Sequence, residues 1–118
     1  MLDVNMIVPP MIGDIVRLEP QFPEVVPTFP MGILTPLDIG SGTVISGEER
    51  LAAVSFQIDV YDENLQRCTE TALKISSRLI ARGFTRTSGA ALKEKRLHRR
   101  TLSFSGKIDE HTGYIYRG

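Results

Sequence analysis

The hydrophobic pattern between residues 54 and 83 changes its period once, from two to about 3.6, and this change constrains the fold most strongly. Apolar residues first alternate with polar ones, which predicts a strand with one covered face. They then recur at steps of three and four, which predicts an amphipathic helix. The alternating set is Val54, Phe56, Ile58 and Val60, and the helical set is Leu65, Cys68, Ala72, Ile75 and Leu79. The segment therefore predicts a strand that leads directly into a helix on the same sheet.

Both ends of this helix carry recognisable signals. Asp62 can cap the N-terminus, and Gly83 can end the helix in a left-handed conformation. Arg78 and Arg82 lie near the C-terminus, where cations interact favourably with the helix dipole. We expect the helix to span about 63–82.

All seven prolines lie at or before residue 36, so any regular structure there must be short. Residues 11–18 are predicted to form two helical turns that Pro20 ends. Residues 21–30 are predicted to form an extended apolar arm, which either wraps its own domain or lies on a neighbouring subunit. The large apolar side chains of this arm include Phe22, Val25 and Phe29.

Further strands are predicted on both sides of the central segment. Residues 33–38 and 43–46 flank a glycine turn at 39–42, and residues 97–105 and 114–117 form a second antiparallel pair. Residues 85–91 are predicted as a turn or flexible loop. The predicted fold class is α+β, with an antiparallel or mixed β-sheet of about four to five strands. One long helix and a short N-terminal helix are expected to pack on one face.

The length of 118 residues is close to the commonest size of a domain and too short for two separate cores. We expect a single domain over 1–118, with the proline-rich helix and arm at 1–36 and the sheet-and-helix core at 37–118. Because 14 basic and 14 acidic residues cancel, no overall field attracts the chain to nucleic acid or membranes, and self-association is favoured. Neither a membrane-spanning apolar run nor a signal-peptide pattern is visible.

The sequence offers few residues for catalysis. His98 and His111 are the two histidines, and neither has another metal ligand at helical spacing. Cys68 is the single cysteine and lies on the apolar stripe, which predicts a buried small hydrophobe. Asp59, Asp62 and Glu63 could bind a cation or act as acids and bases, but helix capping accounts for Asp62 and Glu63. We therefore expect no enzyme activity, no metal site and no cofactor.

Residues 93–100 form the one dense basic patch. The patch could grip phosphates, but no aromatic residue is interleaved with it and the whole chain is neutral, which argues against a dedicated nucleic-acid reader. Arginines also form ion pairs between subunits, which is the interpretation that we prefer. The candidate acidic partners are Asp59, Asp62, Glu48 and Glu49. The candidate subunit-interface residues are Arg86, Arg99, Arg100, Arg117, Asp59, Asp62, Phe22, Val25 and Phe29.

Three stretches in the second half of the chain form a recognisable combination. They contain Ile58-Asp59-x-Tyr61, Gly83-Phe84-x-Arg86 and Ile108-Asp109-x-x-Thr112-x-x-Ile115-Tyr116-Arg117. Together they resemble the small tail terminator, or tail-to-head joining, proteins of long-tailed bacteriophages and prophages. The resemblance covers roughly residues 50–118 and implies a mixed sheet with helices on one side. It also implies assembly as a hexameric ring.

The function that this resemblance implies is that of a structural virion protein at the head–tail junction, assembled in the host cytoplasm. The implied partners are further copies of the chain, the tail tube protein and the head connector or stopper protein. Genome DNA would pass through the lumen of the ring without sequence-specific binding, and no membrane is involved. A closed ring needs two different patches on each subunit, which the apolar arm and an arginine-bearing face would supply. The alternatives are another neck component (a head-completion or stopper protein), a small DNA-binding module, and a small enzyme that uses Asp59.

Overall fold

The structure, a computed structural model, describes residues 7–19, 29–46, 49–94, 97–109 and 115–116. The segments 38–46, 49–52, 93–94, 109 and 115–116 are described by their backbone alone. The elements in chain order are α1 (Pro9–Ile12), β1 (Arg17–Glu19), β2 (Met31–Ser46), β3 (Glu49–Asp62), α2 (Leu65–Ala81), β4 (Thr85–Glu94), β5 (Leu97–Asp109) and β6 (Ile115–Tyr116).

The strands form one six-stranded mixed sheet. Five of them follow the order β1-β2-β3-β5-β4, and the short β6 pairs with β5 beside this path. β1 runs parallel to β2, and the other pairs are antiparallel. With one long and one short helix on this sheet, the predicted α+β fold class is confirmed.

The strand and helix predicted from the change of period form the centre of the core. The alternating residues of β3 pack against the apolar stripe of α2, and β5 adds Leu102, Phe104 and Ile108. Phe56 lies directly opposite Phe104 in the sheet, with their rings stacked 5.6 Å apart. The Phe84 ring meets Phe56 edge-on at 5.1 Å. These three rings fill the space between the two central strands and the end of α2.

The predicted helix is correct in place but differs at its N-terminus. Its cap is Asn64, whose Oδ1 accepts a hydrogen bond from the backbone N–H of Arg67 at 2.9 Å. The prediction that Asp62 caps the helix is wrong, because β3 continues through Asp62. Leu65 is 53% exposed, since it is the first helical residue and lies at the margin of the buried stripe. Gly83 ends the helix with φ 110°, as predicted.

The N-terminal helix lies earlier than predicted. Pro9 and Pro10 occupy the first turn of α1, where a missing backbone N–H is not needed. The prediction of a helix over 11–18 is wrong, because the chain has already become strand β1 at Arg17 and pairs there with β2. α1 packs against α2 on one face of the sheet, as predicted. Most of the predicted arm, up to residue 28, lies outside the described residues.

Two segments predicted as turns belong to strands. The glycine turn predicted at 39–42 is a register shift within β2, and β3 pairs with β2 on both sides of it. The loop predicted at 85–91 is the first part of β4, which pairs along its length with β5. Both segments contain several small residues, which have a low strand propensity, so their sequence did not predict a strand. Pairing with a neighbouring strand stabilises their extended conformation. The predicted second antiparallel pair exists as β5 with β6, but the two strands pair at Lys107 and Ile108, which lie beyond the end of the strand predicted at 97–105.

We expect Phe56→Ala to lower the free energy of unfolding by about 3–5 kcal/mol, because the lost ring leaves a cavity between Phe84 and Phe104. Urea unfolding followed by circular dichroism measures this loss. Leu92→Ala is the control, since Leu92 is 47% exposed and its truncation should cost less than about 1 kcal/mol. Equal losses in the two variants would contradict the central position of Phe56.

Candidate interaction site

Asp59 lies on the sheet face that points away from α2, yet only 5% of it is exposed. Its Oδ1 accepts hydrogen bonds from Thr101 Oγ1 at 2.6 Å and from Arg99 Nε at 3.2 Å. Gln57 Nε2 donates to its Oδ2 at 3.1 Å. The register explains the arrangement, because Asp59 lies directly opposite Thr101 in the β3–β5 pair. The carboxylate is therefore bound by groups of its own chain.

A small apolar cluster adjoins this network on the same face. Met31, Ile33 and Tyr61 are buried, and Phe29 and Leu97 pack against them. The Arg99 guanidinium lies 5.7 Å from the centre of the Tyr61 ring, within the range of a cation–π contact. Two predicted interface residues, Phe29 and Arg99, thus meet at this cluster.

Asp62 holds the junction between β3 and α2. Its side chain is 0% exposed, and its two oxygens accept hydrogen bonds from Nε and Nη2 of Arg67, both at 2.6 Å. Burial acts to raise the pKa of Asp62, but the hydrogen bonds from Arg67 and from the Asn64 backbone N–H outweigh it, so the pKa lies below its ordinary value. The sequence analysis did not identify Arg67 as a partner of Asp62. The available signal was its position three residues after Asn64, which can cap a helix.

A groove on the opposite face of the sheet, between α2 and β4, brings Arg86 and Arg100 together. It has a volume of about 160 Å³. Arg100 Nη2 donates to Thr69 Oγ1 at 3.1 Å, while Arg100 Nε is buried and has no hydrogen-bond partner among the described residues. The Arg86 guanidinium lies against Gly89, where a Cβ atom would collide with it. The groove therefore carries two cations and a buried donor.

The predicted interface residues are thus distributed over separate places. Asp59 and Arg99 lie on one face, Arg86 and Arg100 on the other, and Asp62 at the strand–helix junction. Phe22, Val25, Arg117 and Glu48 lie outside the described residues, and the side chain of Glu49 is not described. The residues that sequence reasoning missed are Arg67 and Thr69, both on the flanks of α2.

The other chemically notable side chains have structural contacts. The Cys68 thiol donates to the Val60 carbonyl at 3.4 Å, and burial raises its pKa, so the predicted buried small hydrophobe is confirmed. His98 is half-buried in β5, and His111 lies outside the described residues. In the described ranges, no group of three or more His, Cys, Asp or Glu is arranged to hold a metal ion. Neither described helix is long and apolar enough to cross a membrane.

The mixed sheet with helices on one face defines an α+β protein. The candidate groups for contacts with a partner are the arginines that line its groove. No family model and no curated protein matches the sequence. Among solved structures, the chain is similar to one in the virion of a native gene transfer agent (GTA) particle, with a TM-score of 0.60 and 15% identity. The match covers 86% of this chain and 84% of that chain. At this identity, the likeness shows a shared fold.

We expect Asp62→Asn to lower stability near neutral pH and to have a smaller effect in acid. Because the folded pKa of Asp62 is lowered, its ion pair contributes fully above the unfolded pKa of about 3.9. This contribution is lost as the pH falls through the folded pKa. Urea unfolding from about pH 7 down to about pH 2 should therefore show the variant and the wild type converging.

Asp14→Asn is the matched control for this experiment. Asp14 also forms a two-bond ion pair, with Arg78 at 2.9 and 3.0 Å, but its side chain is 64% exposed. Exposed ion pairs contribute little to stability, so this variant should differ less from the wild type. An effect of Asp62→Asn that does not vary with pH would contradict the role of the buried carboxylate.

Proposed function

We propose that this chain is a structural virion protein, and more specifically a tail terminator that caps the tail tube as a homohexameric ring and joins the tail to the head. The observation that carries the proposal is the likeness in fold to a chain of a virion particle over most of both chains. The resemblance of residues 50–118 to tail terminator proteins supports the finer assignment.

The two edges of the sheet support assembly into a ring. A closed ring needs contacts between two different patches. One edge is the three-residue strand β1, and the other is the ten-residue strand β4, whose described side chains at 85–92 are all exposed. An edge strand presents unpaired backbone N–H and C=O groups that a neighbouring chain can use. The edges therefore differ, as a head-to-tail contact requires, because β1 pairs only with Met31–Ile33 and the rest of β2 forms that edge, whereas β4 forms the other.

The long strands supply a surface for other partners. β2 has 16 residues and β3 has 14, whereas α2 has 17. At about 3.3 Å per strand residue and about 1.5 Å per helical residue, α2 covers only about half of the strand length. The longest dimension of the chain, 52 Å, agrees with this length. We assign the uncovered end of the β2–β3 pair to contacts with the tail tube protein or with the head connector or stopper protein.

The mechanism of such a ring is geometric. It covers the terminal subunits of the tail tube, stops their addition and presents a new surface to the head, while genome DNA passes through the lumen without sequence-specific contacts. No bond chemistry, enzyme activity or cofactor is needed, and the engagement of Asp59 and Asp62 by arginines of the same chain is consistent with that role. The ring would assemble in the host cytoplasm and remain in the virion at the head–tail junction.

We expect the purified protein to form a discrete species with about six times the mass of the 13.1 kDa chain. Light scattering after size-exclusion chromatography, at low and high protein concentration, measures this mass. Electron microscopy with added tail tubes should then show rings at one end of the tubes. Monomers at every concentration, with no ring after addition of tubes, would contradict the proposal.

The same samples separate the alternatives. Binding to head connectors but not to tail tubes would indicate another neck component, such as a head-completion or stopper protein. Affinity for duplex DNA that falls steeply with added salt would indicate a DNA-binding module, because phosphate contacts release counterions. A tail terminator should show neither result as its main activity.

A further inference from the structure

The groove between α2 and β4 exists because the helix layer ends before the sheet does. α2 packs mainly over β3 and β5 and contacts β4 less extensively, and α1 packs against α2, so the helices cover β4 only in part. The lining of the groove includes the small residues Ala72, Gly89 and Ala91. Leu73 on its rim is 58% exposed. The groove thus opens at the free edge of the sheet, where a neighbouring molecule can reach it.

Arg86 and Arg100 supply positive charge and hydrogen-bond donors to this groove, which favours a negatively charged acceptor. Arg86 forms no ion pair with a described residue, and Arg100 has only the neutral Thr69 hydroxyl as a partner within the described ranges. Arg100 is half-buried and its Nε has no hydrogen-bond partner among the described residues, so a negative charge in the groove would stabilise this guanidinium. Two guanidinium groups at one place match a carboxylate, which accepts paired hydrogen bonds from arginine.

The size of the groove limits what it can hold. Its volume of about 160 Å³ is below the roughly 300 Å³ at which pockets for small-molecule ligands begin. One acidic side chain fits this space better than a nucleotide or a helix does. Gly89 contributes to the fit, because any larger residue there would displace the Arg86 guanidinium.

We propose that this groove binds an aspartate or glutamate side chain from a second copy of the chain, and this inference rests on the ring proposed above. The exposed carboxylates Glu63 and Glu70 form no ion pair with a described residue, so each copy carries acceptors as well as the groove. The zero net charge means that copies do not repel one another. The partner copy completes the site, since it supplies a carboxylate, which no described residue of the same chain pairs with Arg86 or Arg100.

The test compares self-association of the wild type with that of Arg86→Met, Arg100→Met and Gly89→Ala by sedimentation velocity over a range of concentrations. Methionine replaces the apolar stem of the arginine side chain but removes its positive charge. Gly89→Ala displaces the Arg86 guanidinium without changing the charge. Each variant should raise the apparent dissociation constant about tenfold or more. Arg82→Met is the control, because Arg82 is exposed at the end of α2 outside the groove, and it should change the constant less than about twofold.

Urea unfolding of each variant shows whether the fold is retained, and a hexaglutamate peptide serves as the carboxylate probe. The inference is supported if the three groove variants assemble more weakly than the wild type and Arg82→Met assembles as well as the wild type. Folded groove variants that assemble as well as the wild type overturn it and leave the proposed ring intact. If the wild type stays monomeric but binds hexaglutamate, and Arg100→Met weakens this binding, the occupant of the groove is not a second copy. This result would indicate an acidic partner protein. Failure to form rings even with tail tubes counts against the proposed function itself.

Discussion

The packing of α2 against the Phe56 face of β3 is the contact on which the rest of the structure depends. Only Glu63 and Asn64 separate the strand from the helix, and the Asp62–Arg67 ion pair fixes the turn between them. The helix is thereby held over β3 and β5, where the rings of Phe56, Phe84 and Phe104 meet. Since a single helix is about 10 Å wide, it covers the outer strand β4 only in part. The groove at the sheet edge is a direct consequence.

The two neighbouring arginines of the basic segment at the start of β5, Arg99 and Arg100, make different contacts. Successive residues of a strand point to opposite faces, so Arg99 meets Asp59 on one face while Arg100 lies beside Thr69 on the other. Arg99 is neutralised within its own chain and helps to hold β3 to β5. Arg100 has no carboxylate partner among the described residues. The two neighbouring arginines thus differ, because Arg99 stabilises its own chain while Arg100 lines the groove between α2 and β4.

The likeness in fold at 15% identity is understandable in physical terms. The core requires alternation along β3, a stripe on α2 and aromatic residues at the strand–helix contact, and many sequences satisfy these conditions. Function does not follow from such a pattern, because one fold can carry many functions. The proposed role in a virion therefore depends on surfaces that self-association and electron microscopy can test.

The sequence by itself determined β3, α2 and the end of the helix at Gly83, because periodicity and a glycine terminator are local signals. It also predicted a pair of strands near the C-terminus, but not that β5 and β6 meet at Lys107 and Ile108. It also identified Arg86, Arg99 and Arg100 as separate candidates. Tertiary structure alone decided that residues 85–91 are strand and that 39–42 continue β2. β5 pairs with the first segment, and β3 pairs with β2 on both sides of the register shift between Gly40 and Val44. It also decided that Arg99 binds Asp59 while Arg86 and Arg100 share a groove, because register and helix width set those distances.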